Sequence, residues 1–157
     1  MTEDQPRIVV GVDGSPGSRA ALRWALRYAE PSGGEIIGVL AWAPPSFTEP
    51  APMPPLLFDD ELRNRAEKAL REIVDEVTAP LATSVRVRGE VVRGHAARAL
   101  LDQAEDAELL VVGSRGHGGF VGALLGSVSR HCVTHAPCTV VVGRPPSDEP
   151  DRGPTPT

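Results

Sequence analysis

Apolar runs alternate with amphipathic stretches along this chain, and the two patterns predict strands and helices in turn. The β-branched run at 7–12, RIVVGV, predicts a buried strand, and a second is predicted over 35–42. Further apolar runs predict strands over 108–112 and 139–143. Apolar and polar residues alternate over 85–92, which is typical of an edge or half-exposed strand. Five strands are therefore expected.

Helical periodicity separates these strands. Ser15 and Pro16 predict a helix start, because a serine hydroxyl caps free amides and proline fits the first turn. A second helix is predicted from Asp59, and shorter ones over 95–104 and 127–135. The apolar stripes that support the two long helices are Ala21, Trp24, Ala25 and Tyr28, and Leu62, Ala66, Ala69, Ile73 and Val77.

The alternation of strand and helix predicts a fold class. Short parallel strands must be joined by helical crossovers, so we expect a doubly wound, Rossmann-like α/β domain with a five-stranded parallel sheet and helices on both faces. The chain has 157 residues, enough for one such domain, which we place at 5–144. The proline-rich segment 44–55 predicts a surface loop, and the polar tail 145–157 is expected to be disordered.

Charge and composition exclude several functions. The formal net charge is −5, which argues against nucleic acid or an anionic membrane as partner, since both reward a basic face. No basic, apolar leader and no apolar run of about 20 residues is present, so a cytoplasmic protein is expected. In that compartment Cys132 and Cys138 are expected to be reduced and packed as small apolar groups.

Two polar features follow predicted strands. Asp13 follows the first strand, and the segment GSRGHGGFVGALLGS at 113–127, here called the glycine-rich loop, follows the fourth. Ligands of open α/β sheets bind beyond the carboxyl ends of strands, where the strand order reverses. If these strands are neighbours there, a carboxylate suited to ribose hydroxyls faces backbone amides suited to phosphate oxygens. The pattern indicates a nucleotide site.

The common nucleotide motifs are absent from this sequence. The loop has no GK[ST], hence no Walker A lysine, and no GxGxxG begins at the strand end. A tight strand-to-helix connection remains the alternative interpretation of the glycines. Asp13, Gly14 and Ser15 also fit a turn and helix cap, a role compatible with ribose binding.

Other chemistry has weaker support. His131 and His135 share a helix face, which invites a zinc interpretation with Cys132 and Cys138, but Cys132 points away from that face. Core packing of the cysteines is favoured, and no metal bound by side chains alone is expected. No catalytic triad or carboxylate pair can be assigned from linear order, so the catalytic set is empty.

Here the spacing supports a resemblance. Gly113-x2-Gly116-x9-Gly126-Ser127 is similar to the Gly-x2-Gly-x9-Gly-[Ser/Thr] signature of the ATP-binding branch of the universal stress protein family. The opening IVVGVDGS, the stretches VVRGHAARALLDQA and LLVVGSRGHGGF, and the closing LLGSVSRHCVTHAPCTVVV resemble it too. The resemblance implies a fold of the adenine nucleotide alpha hydrolase type.

The resemblance also implies the site. Asp13 would hold the ribose, the main chain of Val39 would meet adenine, Arg115 would lie near the α-phosphate, and 126–129 would cradle the outer phosphates. Any Mg²⁺ would bind phosphate oxygens, water and the Ser127 hydroxyl. The implied cofactor-binding residues are Gly11, Val12, Asp13, Val39, Val112, Gly113, Ser114, Arg115, Gly116, Gly126, Ser127, Val128 and Ser129.

The function implied is that of an ATP-binding regulatory protein of the stress response. The alternatives are a slow ATPase or phosphotransferase, and an interaction module that binds no nucleotide. The resemblance implies a homodimer through antiparallel pairing of the last strand, 139–142, which would cover an exposed edge. The downstream partner is not identified by the sequence.

Overall fold

The computed structural model describes residues 5–43, 55–116 and 125–146. Its strands are Arg7–Gly11 (β1), Glu35–Trp42 (β2), Val87–Arg93 (β3), Leu109–Gly113 (β4) and Thr139–Gly143 (β5). They form one sheet in the order β3-β2-β1-β4-β5, and every neighbouring pair is parallel. The predicted doubly wound α/β fold is confirmed, and β3, predicted as an edge or half-exposed strand, lies at one edge of the sheet.

Helices cover both faces of the sheet. They are Pro16–Ser32 (α1), Pro55–Thr78 (α2), Ala96–Gln103 (α3), which continues into a 3-10 turn at Ala104–Asp106, and Ser127–His135 (α4). Successive residues of β1 point to opposite faces, so Ile8 packs with α1 and α2 and Val9 packs with α3 and α4. The two apolar layers together enclose the central strands.

The start of α1 follows from its sequence. The Ser15 hydroxyl accepts a hydrogen bond from the Ser18 amide at 3.2 Å, and Pro16 is the first helical residue. Gly33 ends the helix in the left-handed conformation, with φ of 68°. The cap expected at Ser15 is confirmed.

Some element bounds differ from the prediction. The second helix begins at Pro55 rather than Asp59, because proline is accepted in a first helical turn. The rest of the predicted proline-rich loop, residues 44–54, lies outside the described residues. The strand β1 ends at Gly11, although the amide of Val12 still donates to the carbonyl oxygen of Val39 at 2.8 Å.

The buried face of α1 is shifted from the predicted stripe. Leu22 and Leu26 are in the core, whereas Tyr28 is 37% exposed and stacks on Trp24 with ring centroids 5.2 Å apart. The Tyr28 hydroxyl donates to Glu108, and this hydrogen bond raises the pKa of Tyr28. Its hydroxyl explains why Tyr28 stays at the rim.

None of the helices within 5–43, 55–116 and 125–146 is both long enough and apolar enough to cross a bilayer.

Candidate functional site

The strand order reverses between β1 and β4. These strands are direct neighbours, but α1 follows β1 on one face of the sheet and α4 follows β4 on the other. The crossovers therefore diverge and leave a crevice at the carboxyl ends. The two segments that border it touch, since the Ser15 hydroxyl donates to the carbonyl oxygen of Arg115 at 3.5 Å.

A cavity of about 490 Å³ occupies this crevice. Its volume lies within the range of small-molecule sites. The residues that line it are Gly11, Val12, Asp13, Ser15, Ser18, Val39, Ala41, Ala96, Leu100, Val112, Gly113, Arg115, Gly116, Leu125, Gly126, Ser127, Val128, Ser129 and Arg130. Of the sequence-predicted site residues, Ser114 alone is missing from this lining. A second cavity, about 470 Å³, lies between α2 and β3, away from the strand reversal.

Asp13 combines two roles at the rim of the first cavity. Its side chain is exposed, and its Oδ1 accepts a hydrogen bond from the Ser15 amide at 2.9 Å, the turn expected from Asp-Gly-Ser. Gly14, between them, has φ of 80°, which suits glycine. The carboxylate also borders Gly116, where an added Cβ would lie 2.6 Å from Oδ2. Turn formation thus fixes the carboxylate beside the glycine-rich loop.

Gly113 is required by packing against α1. An added Cβ would lie 2.5 Å from the carbonyl carbon of Gly17 and 2.7 Å from the amide nitrogen of Ser18, closer than real Cβ atoms approach backbone. Two facing glycines therefore bring the end of β4 against the first turn of α1. For Gly113, this geometry supports the alternative interpretation of the glycines, a tight strand-to-helix connection. Gly113 nevertheless lines the cavity as well.

Ser114 does not line the cavity but connects the two ends of the glycine-rich loop through hydrogen bonds. It is 5% exposed, and its amide donates to the carbonyl oxygen of Gly143 at 2.8 Å. Its own carbonyl oxygen accepts from the Gly126 amide at 2.7 Å and from the Ser129 hydroxyl at 3.0 Å. These bonds join the beginning of the loop to its end. Residues 117–124 of the loop lie outside the described residues.

The first turn of α4 faces the cavity. Gly126 is the N-cap residue, and the amides of Ser127, Val128 and Ser129 have no acceptor within the helix, as at every helix start. Ser127 is exposed, whereas the Ser129 hydroxyl is directed inward at the carbonyl oxygens of Ser114 and Gly126, each at 3.0 Å. Free amides and the positive end of the helix dipole favour an anion here.

The opposite end of the cavity is apolar. Buried Val39 lies within β2, buried Val112 is the next-to-last residue of β4, and Ala41, Ala96 and Leu100 complete the wall. The last three were not predicted. Ala41 lies on β2, and Ala96 and Leu100 belong to α3, which follows an edge strand and which only the strand order places over the crevice. Among the other unpredicted residues, Ser15 and Ser18 could have been inferred from their closeness to Asp13 in sequence.

Cys132 and the two nearby histidines lie on opposite sides of α4. Cys132 has no exposed surface, and burial raises its pKa to about 11. His131 and His135 are exposed on the opposite side of α4, with ring centroids 4.5 Å apart. Within the ranges that the structure covers, no group of three or more His, Cys, Asp or Glu residues is arranged to hold a metal ion.

Known proteins resemble this chain in sequence. A model of the universal stress protein family matches residues 6–144. A universal stress protein of Mycobacterium tuberculosis is 37% identical over 139 residues, which are 86% of this chain and 46% of that protein. One from Mycolicibacterium smegmatis is 36% identical over 138 residues, covering 88% of this chain and 45% of that protein. The chain spans about half the length of these curated relatives.

Solved structures resemble it as well. The universal stress protein UspA from Lactobacillus plantarum matches with a TM-score of 0.74 and 26% identity, over 91% of this chain and 100% of that one. A universal stress protein in complex with cAMP matches with a TM-score of 0.65 and 28% identity, over 89% and 97%. An Arabidopsis thaliana family protein with AMP bound has a TM-score of 0.59 and 23% identity, over 94% and 97%.

Proposed function

Because this chain belongs to the universal stress protein family, we propose that it is a regulatory protein that binds ATP in the cavity between β1 and β4. The observation that carries the proposal is the shape of that cavity. A carboxylate, a turn of free amides and an apolar wall border one space of about 490 Å³. These groups are complementary to a sugar, a polyphosphate and a base, respectively.

The adenosine half of the ligand is assigned to the side of the cavity that β1 and β2 form. Asp13 would accept hydrogen bonds from the ribose hydroxyls, with Gly11 and Val12 beside it. The main chain of Val39 would meet the adenine edge, and Val112 would cover a face of the ring. Solved family members with bound cAMP and AMP support an adenine nucleotide as the ligand class.

The phosphates are assigned to the glycine-rich loop and α4. Gly113, Arg115 and Gly116 would follow the ribose and the α-phosphate, and the first turn of α4 would bind the outer phosphates through its amides. Ser114 and Ser129 would act by tying the two ends of the loop together. The spacing of Gly113, Gly116, Gly126 and Ser127 resembles the signature of the ATP-binding branch of the family, which supports ATP as the ligand.

A divalent ion is compatible with this arrangement. Mg²⁺ keeps several waters and needs only one or two protein oxygens, and the exposed Ser127 hydroxyl lies at the phosphate end. When bound, the ion would neutralise phosphate charge.

Hydrolysis has little support from the cavity. Asp13 is the only carboxylate among its described lining residues, and its position beside Gly116 belongs to the ribose end. A water that attacks the terminal phosphate needs a group to orient it. We therefore propose regulation by bound nucleotide, with slow turnover at most.

Calorimetry with ATP, AMP and adenosine tests the proposal. We expect ATP to bind the unmodified protein and Asp13→Ala to weaken ATP and AMP alike, about tenfold or more, because both share the ribose. Asp102→Asn, which changes an exposed carboxylate on α3, serves as the matched control and should bind like the parent. Phosphate release measured on the same samples separates binding from turnover.

Each alternative function has its own outcome in this experiment. Phosphate release at ordinary enzymatic rates would favour an ATPase. No calorimetric heat, together with no adenine nucleotide in the purified protein by mass spectrometry, would favour an interaction module.

We further propose a homodimer through β5. This strand begins at Thr139 and lies at the edge of the sheet, with Val140, Val141 and Val142 only partly buried. Antiparallel pairing of 139–142 with a second copy would satisfy its free edge. Sedimentation at micromolar concentration should give a dimer, and a monomer would contradict the proposal. The unit that pairs is the domain at 5–144, without the tail at 145–157.

A further inference from the structure

Arg130 lies in the first turns of α4, at the wall of the cavity. Its amide donates to the carbonyl oxygen of Gly126 at 3.0 Å, so it belongs to the regular helix. Its guanidinium folds back toward the helix start, where Nη2 lies 3.5 Å from the carbonyl oxygen of Leu125. Both Arg130 and Leu125 line the cavity, which places the charge beside the proposed phosphate end.

The position is unfavourable for a cation in the protein alone. The start of a helix carries partial positive charge, and arginine is stabilising at the opposite end. The first turn of α4 contains no acidic residue. The charge of Arg130 therefore adds to that of the helix start and makes the electrostatic potential in the cavity more positive.

Several other arginines on the helices have carboxylate partners. Arg63, Arg65 and Arg98 each pair with an acidic residue four positions away on their own helix. Arg130 and Arg115 form no ion pair within the part of the chain that the structure covers. Two guanidiniums that have no acidic partner among the described residues thus border one cavity.

The cavity is more basic than the protein around it. Its described lining carries two arginines against the single carboxylate of Asp13, although the whole chain has a net charge of −5. Asp13 borders Gly116, while Arg130 borders Leu125 at the start of α4. The charges are therefore separated along the cavity, which suits a ligand whose negative charge is concentrated at one end.

We propose that Arg130 is a specificity-determining residue, which makes the site prefer nucleotides with additional phosphates over nucleoside monophosphates. This inference rests on the proposed nucleotide site. Arg130 would contribute a charge-assisted contact to the phosphates beyond the first, and none to the base or ribose.

The test is a ratio of dissociation constants. Calorimetry would give Kd for AMP, ADP and ATP with the unmodified protein, Arg130→Gln and Arg130→Lys. We expect Arg130→Gln to weaken ATP about tenfold and AMP less than about twofold, because only ATP reaches the lost charge. Arg130→Lys keeps a positive charge and should therefore retain part of the preference for ATP over AMP. Higher salt screens the guanidinium charge, so it should narrow the difference in ATP affinity between the parent and Arg130→Gln.

Arg98→Gln provides the matched control. It removes an exposed helical arginine from α3, whose side chain is 82% exposed, and should leave all three constants unchanged. Far-UV circular dichroism and thermal unfolding of each variant would check that the fold is kept.

The outcomes separate this inference from the proposed function. If the parent binds ATP and Arg130→Gln weakens AMP and ATP equally, Arg130 supports the loop and does not select the ligand. Unchanged dissociation constants for all three nucleotides in Arg130→Gln would also overturn the inference, while leaving the nucleotide site intact. If the parent binds none of the three nucleotides, the proposed function itself fails.

Discussion

The beginning and the end of the glycine-rich loop contain the same residue type for different physical reasons. At the beginning, Gly113 faces Gly17, and a Cβ on Gly113 would lie 2.5 Å from the backbone of α1. At the end, the nearest atom to a Cβ on Gly126 would be the Cα of Arg115, at 3.4 Å, an ordinary contact. The first glycine permits close packing, and the second leaves the start of α4 open.

This difference divides the loop by function. The beginning belongs to the core, because changes there disturb the contact between β4 and α1. The end belongs to the proposed ligand site, because its amides and the Arg130 side chain border the cavity. Gly116 is intermediate, since the atom it would meet is the Oδ2 of Asp13, the free end of a side chain. Four measurements would break or sharpen this division.

The largest effect is expected for Gly113→Ala. The added Cβ must displace backbone of α1, and we expect the free energy of unfolding to fall by about 3 kcal/mol. Urea denaturation followed by circular dichroism measures it. A loss below about 1 kcal/mol would mean that β4 and α1 adjust easily, and the beginning of the loop would not be a packing element.

A smaller effect, on binding rather than folding, is expected for Gly116→Ala. The new Cβ displaces the Asp13 carboxylate, so ATP affinity should fall about tenfold while the free energy of unfolding changes by less than about 1 kcal/mol. Calorimetry and urea denaturation give the two quantities. If Gly116 acts through Asp13, Gly116→Ala should add little to Asp13→Ala, and fully additive losses would contradict that route.

Alkaline pH should weaken the helix at the end of the loop. Burial raises the pKa of Cys132 from an ordinary value of 9.0 to about 11. The unfolded protein therefore loses this proton first, so the stability contributed is full below pH 9 and declines as pH rises toward 11. Between pH 8 and 10 the free energy of unfolding should fall by about 1 kcal/mol from this thiol.

Comparison with Cys132→Ala isolates that contribution. Tyr28 and Cys138 also have raised pKa values, so the parent declines for more than one reason. The decline in Cys132→Ala should be smaller than in the parent. Equal declines would show that the thiol of Cys132 is not the group that titrates.

The smallest effect is expected for Gly126→Ala. Gly126 has φ of −69° and ψ of 169°, which alanine adopts without strain. Alanine is a poorer N-cap than glycine but restricts the unfolded chain, and the two effects offset each other to within about 0.5 kcal/mol. A loss close to that of Gly113→Ala, in the same urea titration, would remove the distinction between the two ends.

Much of the fold could be predicted from residue patterns. The bounds of β2, β5 and α4 agree with the prediction, because each is enclosed by glycine, proline or a change of period. The start of α2 was missed, since a proline in a first helical turn and a proline in a loop look the same in sequence. The order of the strands, by contrast, depends on packing between distant segments.

The candidate site could be predicted where residues with suitable chemistry directly follow a predicted strand in the sequence. Asp13 and the glycine-rich loop follow strands, and the ends of these strands converge in a parallel sheet. Leu100 reaches the cavity only because α3 crosses over on the same face as α4, which sequence does not display. The guanidinium of Arg130 points toward the helix start through its side-chain conformation, which sequence cannot specify.

The contact between Ser15 and Arg115 joins residues 100 positions apart. During synthesis the pocket therefore cannot close until β4 has left the ribosome and paired with β1, so a truncated chain offers no complete binding surface. A ligand that needs both segments stabilises only the finished domain, by an amount that grows with the ratio of its concentration to Kd. Under the proposed function, nucleotide supply would then influence how long each copy survives proteolysis.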